Sequence, residues 1–349
     1  EGQRRADGVM NLRIGAEETM SAVKEHPHYN SPLGDAPAGK LRGRGISMGF
    51  CRNNTGMACA VANVLPDGEV SLLEGSVDIG GSRTAIAQQF AEVIGIPVSE
   101  VHPHIGDTDT IGYTSVTGGS GVAFKSGWAA YTAAMDVKHQ MIQRAAMLWD
   151  CPTEQVDFEN GHVFHKSDPE LRIGFKELAG RMPETGGPVV GRANMNPGGS
   201  GGSYSANIID VEVDTDTGKI DILKVTAFQD AGTAIHPDYV EGQIQGGTVQ
   251  GIGWALNEEF FMGPDGAIQN TSLLDYRMPT SLDLPMIDSV IIEVPNPGHP
   301  YGVRGVGEAN LSAPLGAVAN AVYDAVGARM TDLPMNPDSV HSAIKRLRE

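Results

Sequence analysis

The chain is short of cysteine, has no long apolar run and carries no basic surplus, and each shortage closes off a class of function. Only Cys51, Cys59 and Cys151 occur, an odd number without a CxxC spacing. That excludes a thiolate zinc ribbon and argues against an iron–sulfur cluster on this chain. Buried small apolar side chains in a reducing, cytoplasmic compartment are the simplest reading. No uninterrupted apolar stretch approaches the roughly 18 residues of a membrane span. The formal net charge of −18 argues against nucleic-acid and anionic-membrane partners, both of which call for a basic face. The N-terminus, Glu1-Gly-Gln-Arg-Arg-Ala-Asp7, is polar, unlike a signal peptide, and lacks a starting Met, as expected if the sequence begins inside a longer reading frame. Glycine, by contrast, is abundant (45 residues) and clustered without a three-residue period, so many tight turns are expected and collagen is excluded. A length of 349 residues with 40% hydrophobic content fits two modest domains or one large one with a sizeable core.

In chain order, residues 1–40 are mixed and Pro-containing, with one weak helical stretch at 16–24, and read as an entry segment that lies across a partner. Residues 57–65 and 69–78 alternate and are joined by Pro66-Asp67-Gly68, a hairpin signal. The loop Asp78-Ile-Gly-Gly-Ser82 leads into a helix with Ile86, Phe90, Val93 and Ile94 on one face; Ser82 can cap its start and Gly95 can end it. A short strand at 101–105 follows, then Thr117-Gly-Gly-Ser-Gly121, which opens a long helix to about Trp149. Hydroxyls beside glycines at a helix start suit phosphate or pyrophosphate, although a plain N-cap looks the same. Neither a P-loop nor a Gly-x-Gly-x-x-Gly fingerprint is met there. Residues 151–190 read as a small α/β excursion, and the glycine-rich stretch at 194–203 as the boundary to a second half.

That half opens with runs at 204–213 and 219–229, both alternating, joined by Asp214-Thr-Asp-Thr-Gly218. Its spaced aspartates resemble a calcium loop, but Val225 stands where the final Glu belongs, so a hairpin turn is expected. A helix at 238–259 carries Gly246, Gly247, Gly251 and Gly253. Each costs about 1 kcal/mol against Ala, which makes sense if a ligand or a neighbouring element packs on the backbone. A strand at 288–294 precedes His299-Pro-Tyr-Gly-Val-Arg-Gly-Val-Gly-Glu308, after which a helix is expected at 316–328 and a last one at 337–348. The halves echo each other (hairpin, glycine-rich turn, helix), as in a duplicated unit facing a shared ligand. Glu308, at the end of three glycines and expected to face an apolar wall, reads either as a proton acceptor with a raised pKa or as a surface residue of a flexible loop.

Together Gly302–Glu308, the helix at 317–325 continuing into Asp332-Leu-Pro334, and Gln245-Gly-Gly-Thr-Val-Gln-Gly-Ile-Gly253 resemble the molybdenum hydroxylase family of xanthine dehydrogenases, aldehyde oxidases and nicotinate dehydrogenases. The resemblance implies an α+β chain of two related mixed α/β units forming the second molybdopterin-binding portion of such an enzyme. Residues 41–193 would be the first unit and 194–349 the second, with 1–40 contacting a partner chain. It implies molybdopterin, in its simple or cytosine dinucleotide form, with molybdenum held by the pterin and no side-chain metal ligand. His26, His28, His102 and His104 then read as ordinary loop and strand residues. Glu308 matches the catalytic base. Gly80, Gly81, Ser82, Gly118, Gly119, Ser120, Val122, Gln250, Gly251 and Gly307 fall at cofactor contacts. Relatives carry Gly-Gln-Gly where this chain has Asp78-Ile-Gly-Gly-Ser82, so one expected contact is missing. The implied reaction is hydroxylation of an N-heterocycle or aldehyde with water as oxygen source. Partners would be a second chain carrying the absent first half, an iron–sulfur subunit and an FAD subunit. A carbon monoxide dehydrogenase-type member and a non-catalytic structural subunit are the alternatives.

Overall fold

The structure, a computed structural model, describes residues 2, 4, 8, 10, 12–199 and 201–349. Most of the polar N-terminal stretch, and Ser200 of the glycine-rich stretch, lie outside them. The elements run α1 (Ala16–Glu25), α2 (Pro27–Asn30), β1 (Lys40–Cys51), β2 (Ala58–Val64), β3 (Val70–Glu74), α3 (Ser82–Ile94), β4 (Val101–Ile105) and α4 (Val122–Leu148). Then follow β5 (Val156–Glu159), β6 (His162–His165), β7 (Arg172–Gly174), α5 (Phe175–Gly180) and β8 (Val190–Met195). The chain ends with β9 (Ser203–Asp214), β10 (Ile220–Asp230), α6 (Pro237–Leu256), β11 (Ile287–Ile292), α7 (Ala309–Val326) and α8 (Pro337–Arg348).

Contacts divide the chain into two units that interleave in sequence. One comprises 1–52, 201–295 and 306–349; the other 53–200 and 296–305. This division does not follow the linear one drawn from the sequence. β1 belongs with β9, pairing along its whole length from Lys40↔Asp214 to Cys51↔Ser203.

The first unit is built on a sheet ordered β1-β9-β10-β11, antiparallel except for the parallel β10/β11 pair. The runs expected to alternate are instead buried on both faces over most of β9. Val23 of α1 packs with Ala206, Ile208 and Phe228. Ile209, Val211 and Val213 share the other core with Ala317, Ala321 and Val322 of α7. A strand covered on both faces needs continuous apolar character rather than a period of two. Gly43, Gly45 and Gly49 set α7 against β1. A Cβ at Gly45 would strike the Ala317 carbonyl, and one at Gly43 the Ala321 carbonyl and Ala325 amide. The helix backbone therefore lies directly on the strand. Residues 28–44 are tied down by a buried cluster: Arg44 donates to both Asp210 oxygens at 2.7 Å, and His28 Nε2 stands 3.0 Å from Asp210. Burial pushes the Asp210 carboxyl up, but the hydrogen bonds from Arg44 and His28 bring it below its ordinary value.

The second unit repeats the pattern, with β8 and β3 antiparallel to β2 and β4 parallel to β3. In each unit a hairpin leads into a helix, a strand parallel to the second hairpin strand, and a long helix: β2-β3-α3-β4-α4 and β9-β10-α6-β11-α7. The core of the second unit packs Ala129, Ala130, Ala133 and Val137 of α4 onto Ala60, Ala62 and Leu72. The β5–β7 sheet and α5 form the excursion expected at 151–190.

Candidate cofactor site

Within the second unit the singled-out residues 80–82 and 118–122 lie at the starts of α3 and α4; within the first unit Gly307 and Glu308 lie at the start of α7, while Gln250 and Gly251 lie in the C-terminal half of α6. α3 begins after Gly80 and Gly81, both left-handed at φ +59° and +76°. Ser82 does not cap it: the N-cap position is Gly81, and the Ser82 hydroxyl accepts from Ile79 N–H at 3.3 Å. Glycine at the N-cap position has no side chain to accept from the first turn, so its own residue supplies no cap. Gly95, also left-handed, ends the helix. In the altered loop, Asp78 Oδ1 accepts from Arg83 N–H at 3.1 Å, and Asp78 Oδ2 pairs with the Arg83 guanidinium at 3.0 Å.

α4 begins in the same way. Gly119 and Ser120 are left-handed (φ +61° and +56°), Gly121 is right-handed, and no side chain caps the helix. Successive left- and right-handed residues turn their N–H groups into one concavity, a nest for an anion at a positive helix end. Nothing lies within 4 Å of where a Cβ at Gly118 would stand, so the cradle is open there. Behind it the turn is braced. Asn54 N–H donates to the Gly119 carbonyl at 2.6 Å, and the buried Lys125 Nζ donates to the Ser115 and Val116 carbonyls, both at 2.8 Å. Burial lowers the Lys125 pKa. From α3, Gln89 Nε2 donates to the Ala123 carbonyl at 3.1 Å, while its buried Oε1 has no hydrogen-bond partner.

The stretch from His299 to Glu308 divides. Residues 299–305 belong to the second unit, where His299 is buried, donates from Nε2 to the Phe124 carbonyl at 3.1 Å and accepts at Nδ1 from Tyr301 N–H. Burial pushes its pKa down to about 4. Gly305 is required because a Cβ there would strike Ser120 and Asn53. Residues 306–308 belong to the first unit.

α7 starts at Ala309, immediately after Glu308, and contains Pro314; it does not wait until 316. Glu308 is its N-cap residue and is exposed, so no apolar wall covers it among the described residues. Three buried side chains fix this helix start. Ser205 Oγ donates to the Ala309 carbonyl at 2.6 Å, Gln229 Nε2 donates to the Val306 carbonyl at 2.7 Å, and Asn310 Nδ2 donates to Gln229 Oε1 at 2.7 Å. None of the three stood out in the sequence.

α6 packs across the same start. Gly247 faces the Gly307 carbonyl and Gly251 faces the Leu311 carbonyl and Pro314, while Gly242 and Gly246 have open space. Helix–helix packing thus accounts for part of the glycine content, and the open pair leaves backbone accessible. Gln250 is exposed and lines a cavity of about 440 Å³ with Trp254, Glu258, Phe260, Tyr276 and Leu333. Tyr276 donates to Glu258 at 2.8 Å, and that bond raises the tyrosine pKa. Elsewhere Asp214 Oδ1 accepts from the amides of Asp216 and Thr217, the bonding of a hairpin turn rather than a calcium loop. His102 on β4 pairs with Glu69, and His28 is fixed between Thr226 and Asp210. No group of three or more His, Cys, Asp or Glu suited to a metal ion occurs among the described residues.

A ββαβα unit occurs twice in the chain, and the start of α4 in one copy forms a glycine-rich nest suited to an anion. The chain belongs to the molybdopterin cofactor-binding domain family, whose model matches residues 22–285. A xanthine dehydrogenase molybdenum-binding subunit of Escherichia coli O157:H7 is 30% identical over 312 residues, 86% of this chain and 42% of that protein. The nicotine 6-hydroxylase large subunit of Paenarthrobacter nicotinovorans is 32% identical over 358 residues, covering 94% of this chain and 43% of that one. The quinoline 2-oxidoreductase structure from Pseudomonas putida 86 matches 99% of this chain and 47% of its own with a TM-score of 0.87 and 26% identity. The chain therefore spans less than half the length of these relatives. No helix among the described residues is long and apolar enough to cross a membrane.

Proposed function

We propose that this chain is the molybdopterin-binding portion of a multi-subunit molybdenum hydroxylase that hydroxylates an N-heterocycle or aldehyde with water as the oxygen source. One observation carries the reading: Glu308, the only acid in 296–308, stands at the start of a helix whose position Ser205, Gln229 and Asn310 fix from beneath. The turn at 118–122 fits an anionic group of the cofactor, because it is a left-handed to right-handed turn at a helix start without a side-chain cap, whereas at the start of α3 the Asp78 carboxylate already accepts from Arg83 N–H. Bound molybdopterin with its molybdenum supplies the two-electron redox chemistry. The chain supplies position and proton transfer. Gly118, Gly119, Ser120 and Val122 hold phosphate, and Gly80, Gly81 and Ser82 let the cofactor approach the backbone. Gln250 presents its amide to the cofactor, with Gly251 and Gly307 allowing close approach. Glu308 accepts a proton as water delivers oxygen to an electron-poor carbon. The cofactor is molybdopterin, in its simple or cytosine dinucleotide form. Iron–sulfur and FAD groups on partner subunits would take up the electrons, and the rest of the molybdenum-binding subunit would complete the site.

Metal and pterin analysis of the complete purified assembly tests this. Stoichiometric molybdenum and a pterin are expected, with CMP released on hydrolysis if the form is the dinucleotide. An assembly with neither metal nor pterin would leave only a structural role for the fold.

A further inference from the structure

Residues 257–286, between α6 and β11, contain no helix or strand, yet they carry the most exposed large apolar side chains of the first unit. Leu274, Leu282 and Met286 are 88%, 96% and 88% exposed, and Phe260 and Leu273 are also open. Folded proteins rarely leave such a run in water unless something covers it. The segment also borders the 440 Å³ cavity, which Trp254 and Phe260 line. Its charges are one-sided: Glu258, Glu259, Asp265, Asp275 and Asp283 against Arg277 alone.

We propose that residues 257–286 are the surface on which the remaining part of the molybdenum-binding subunit docks, through an apolar patch rimmed by basic residues that inserts a side chain into the cavity beside Gln250. This rests on the reading above. Three facts select the occupant. More than half of each relative's length lies outside the region this chain matches (42% and 47% are covered), so a large neighbouring surface must be accommodated. A second copy of this chain would bring the same acidic strip, and a net charge of −18, against itself. An anionic membrane is disfavoured by the same charge. Docking here would also close the open side of the cavity that Gln250 lines, linking assembly to the completion of the cofactor site.

The test places a photoreactive benzoyl-phenylalanine at Leu274, Leu282 or Met286, one per variant, in the complete assembly. Crosslinked peptides and molybdenum content are read on the same preparations. Crosslinks from at least two positions to molybdenum-binding-subunit sequence outside these 349 residues are expected. Crosslinks only to a second copy, to an iron–sulfur or flavin chain, or to nothing in a metal-loaded preparation would overturn the docking surface while leaving the cofactor reading intact. Correct crosslinks in a preparation without metal or pterin would keep the surface and overturn that reading instead.

Discussion

The side-chain amide of Asn310 donates a 2.7 Å hydrogen bond to the carboxamide oxygen of Gln229, whose own amide reaches the Val306 carbonyl at 2.7 Å. One buried glutamine on β10 thus holds both sides of Glu308. Replacing Gln229 with Leu leaves the Val306 carbonyl unpaired at a cost of about 1–3 kcal/mol. It should lower kcat more than it raises KM, because Glu308 is displaced rather than removed. Thermal denaturation and steady-state kinetics of the assembly check both. An unchanged kcat would show that Glu308 does not depend on this bracket.

Lys125 plays a comparable part in the second unit. In Lys125→Met the Ser115 and Val116 carbonyls lose their donor, and about 1–3 kcal/mol of stability goes with it. Molybdopterin retention during gel filtration should fall, while a turn held by other contacts would keep its cofactor.

Two glycines separate packing from binding. Gly45→Ala drives a methyl into the Ala317 carbonyl and should prevent soluble expression or cost several kcal/mol. Gly118→Ala meets nothing within 4 Å, so the chain should fold with a near-normal melting temperature and retain less molybdopterin.

Stability should depend on pH through two buried groups of the second unit with opposite signs. Burial raises the Glu74 pKa to about 7 against an ordinary 4.5, so the folded state holds the extra proton and its contribution is lost as pH rises from 4.5 to 7. Burial lowers His299 from 6.5 to about 4, so the unfolded state holds the extra proton and stability is lost as pH falls from 6.5 to 4. Glu74→Gln should therefore stabilise the protein at pH 8 and change little at pH 4. Urea titrations at the two pH values measure this, and an equal effect at both would contradict it.

Much of the repeat was legible locally. Pro66-Asp67-Gly68 and Asp214–Gly218 mark hairpins that the structure contains, because turn chemistry is set by adjacent residues. The start of α7 was not legible. Pro314 reads as a helix boundary, and the bonds that hold the preceding turn come from Ser205, 104 residues from its partner Ala309, and from Gln229, 77 residues from its partner Val306. The placement of β1 was missed for the same reason, since its partner β9 lies across the whole second unit. Its spaced glycines, Gly43, Gly45 and Gly49, all on one strand face, did carry a signal for a helix lying directly on the backbone.

Glu308 as the proton acceptor is the proposal on which the rest of the site depends. The direct measurement is turnover per bound molybdenum in the Glu308→Gln assembly. Cofactor content should stay at the wild-type level while kcat falls by about 10²–10⁴-fold. Near-normal turnover in a fully loaded variant would contradict the account.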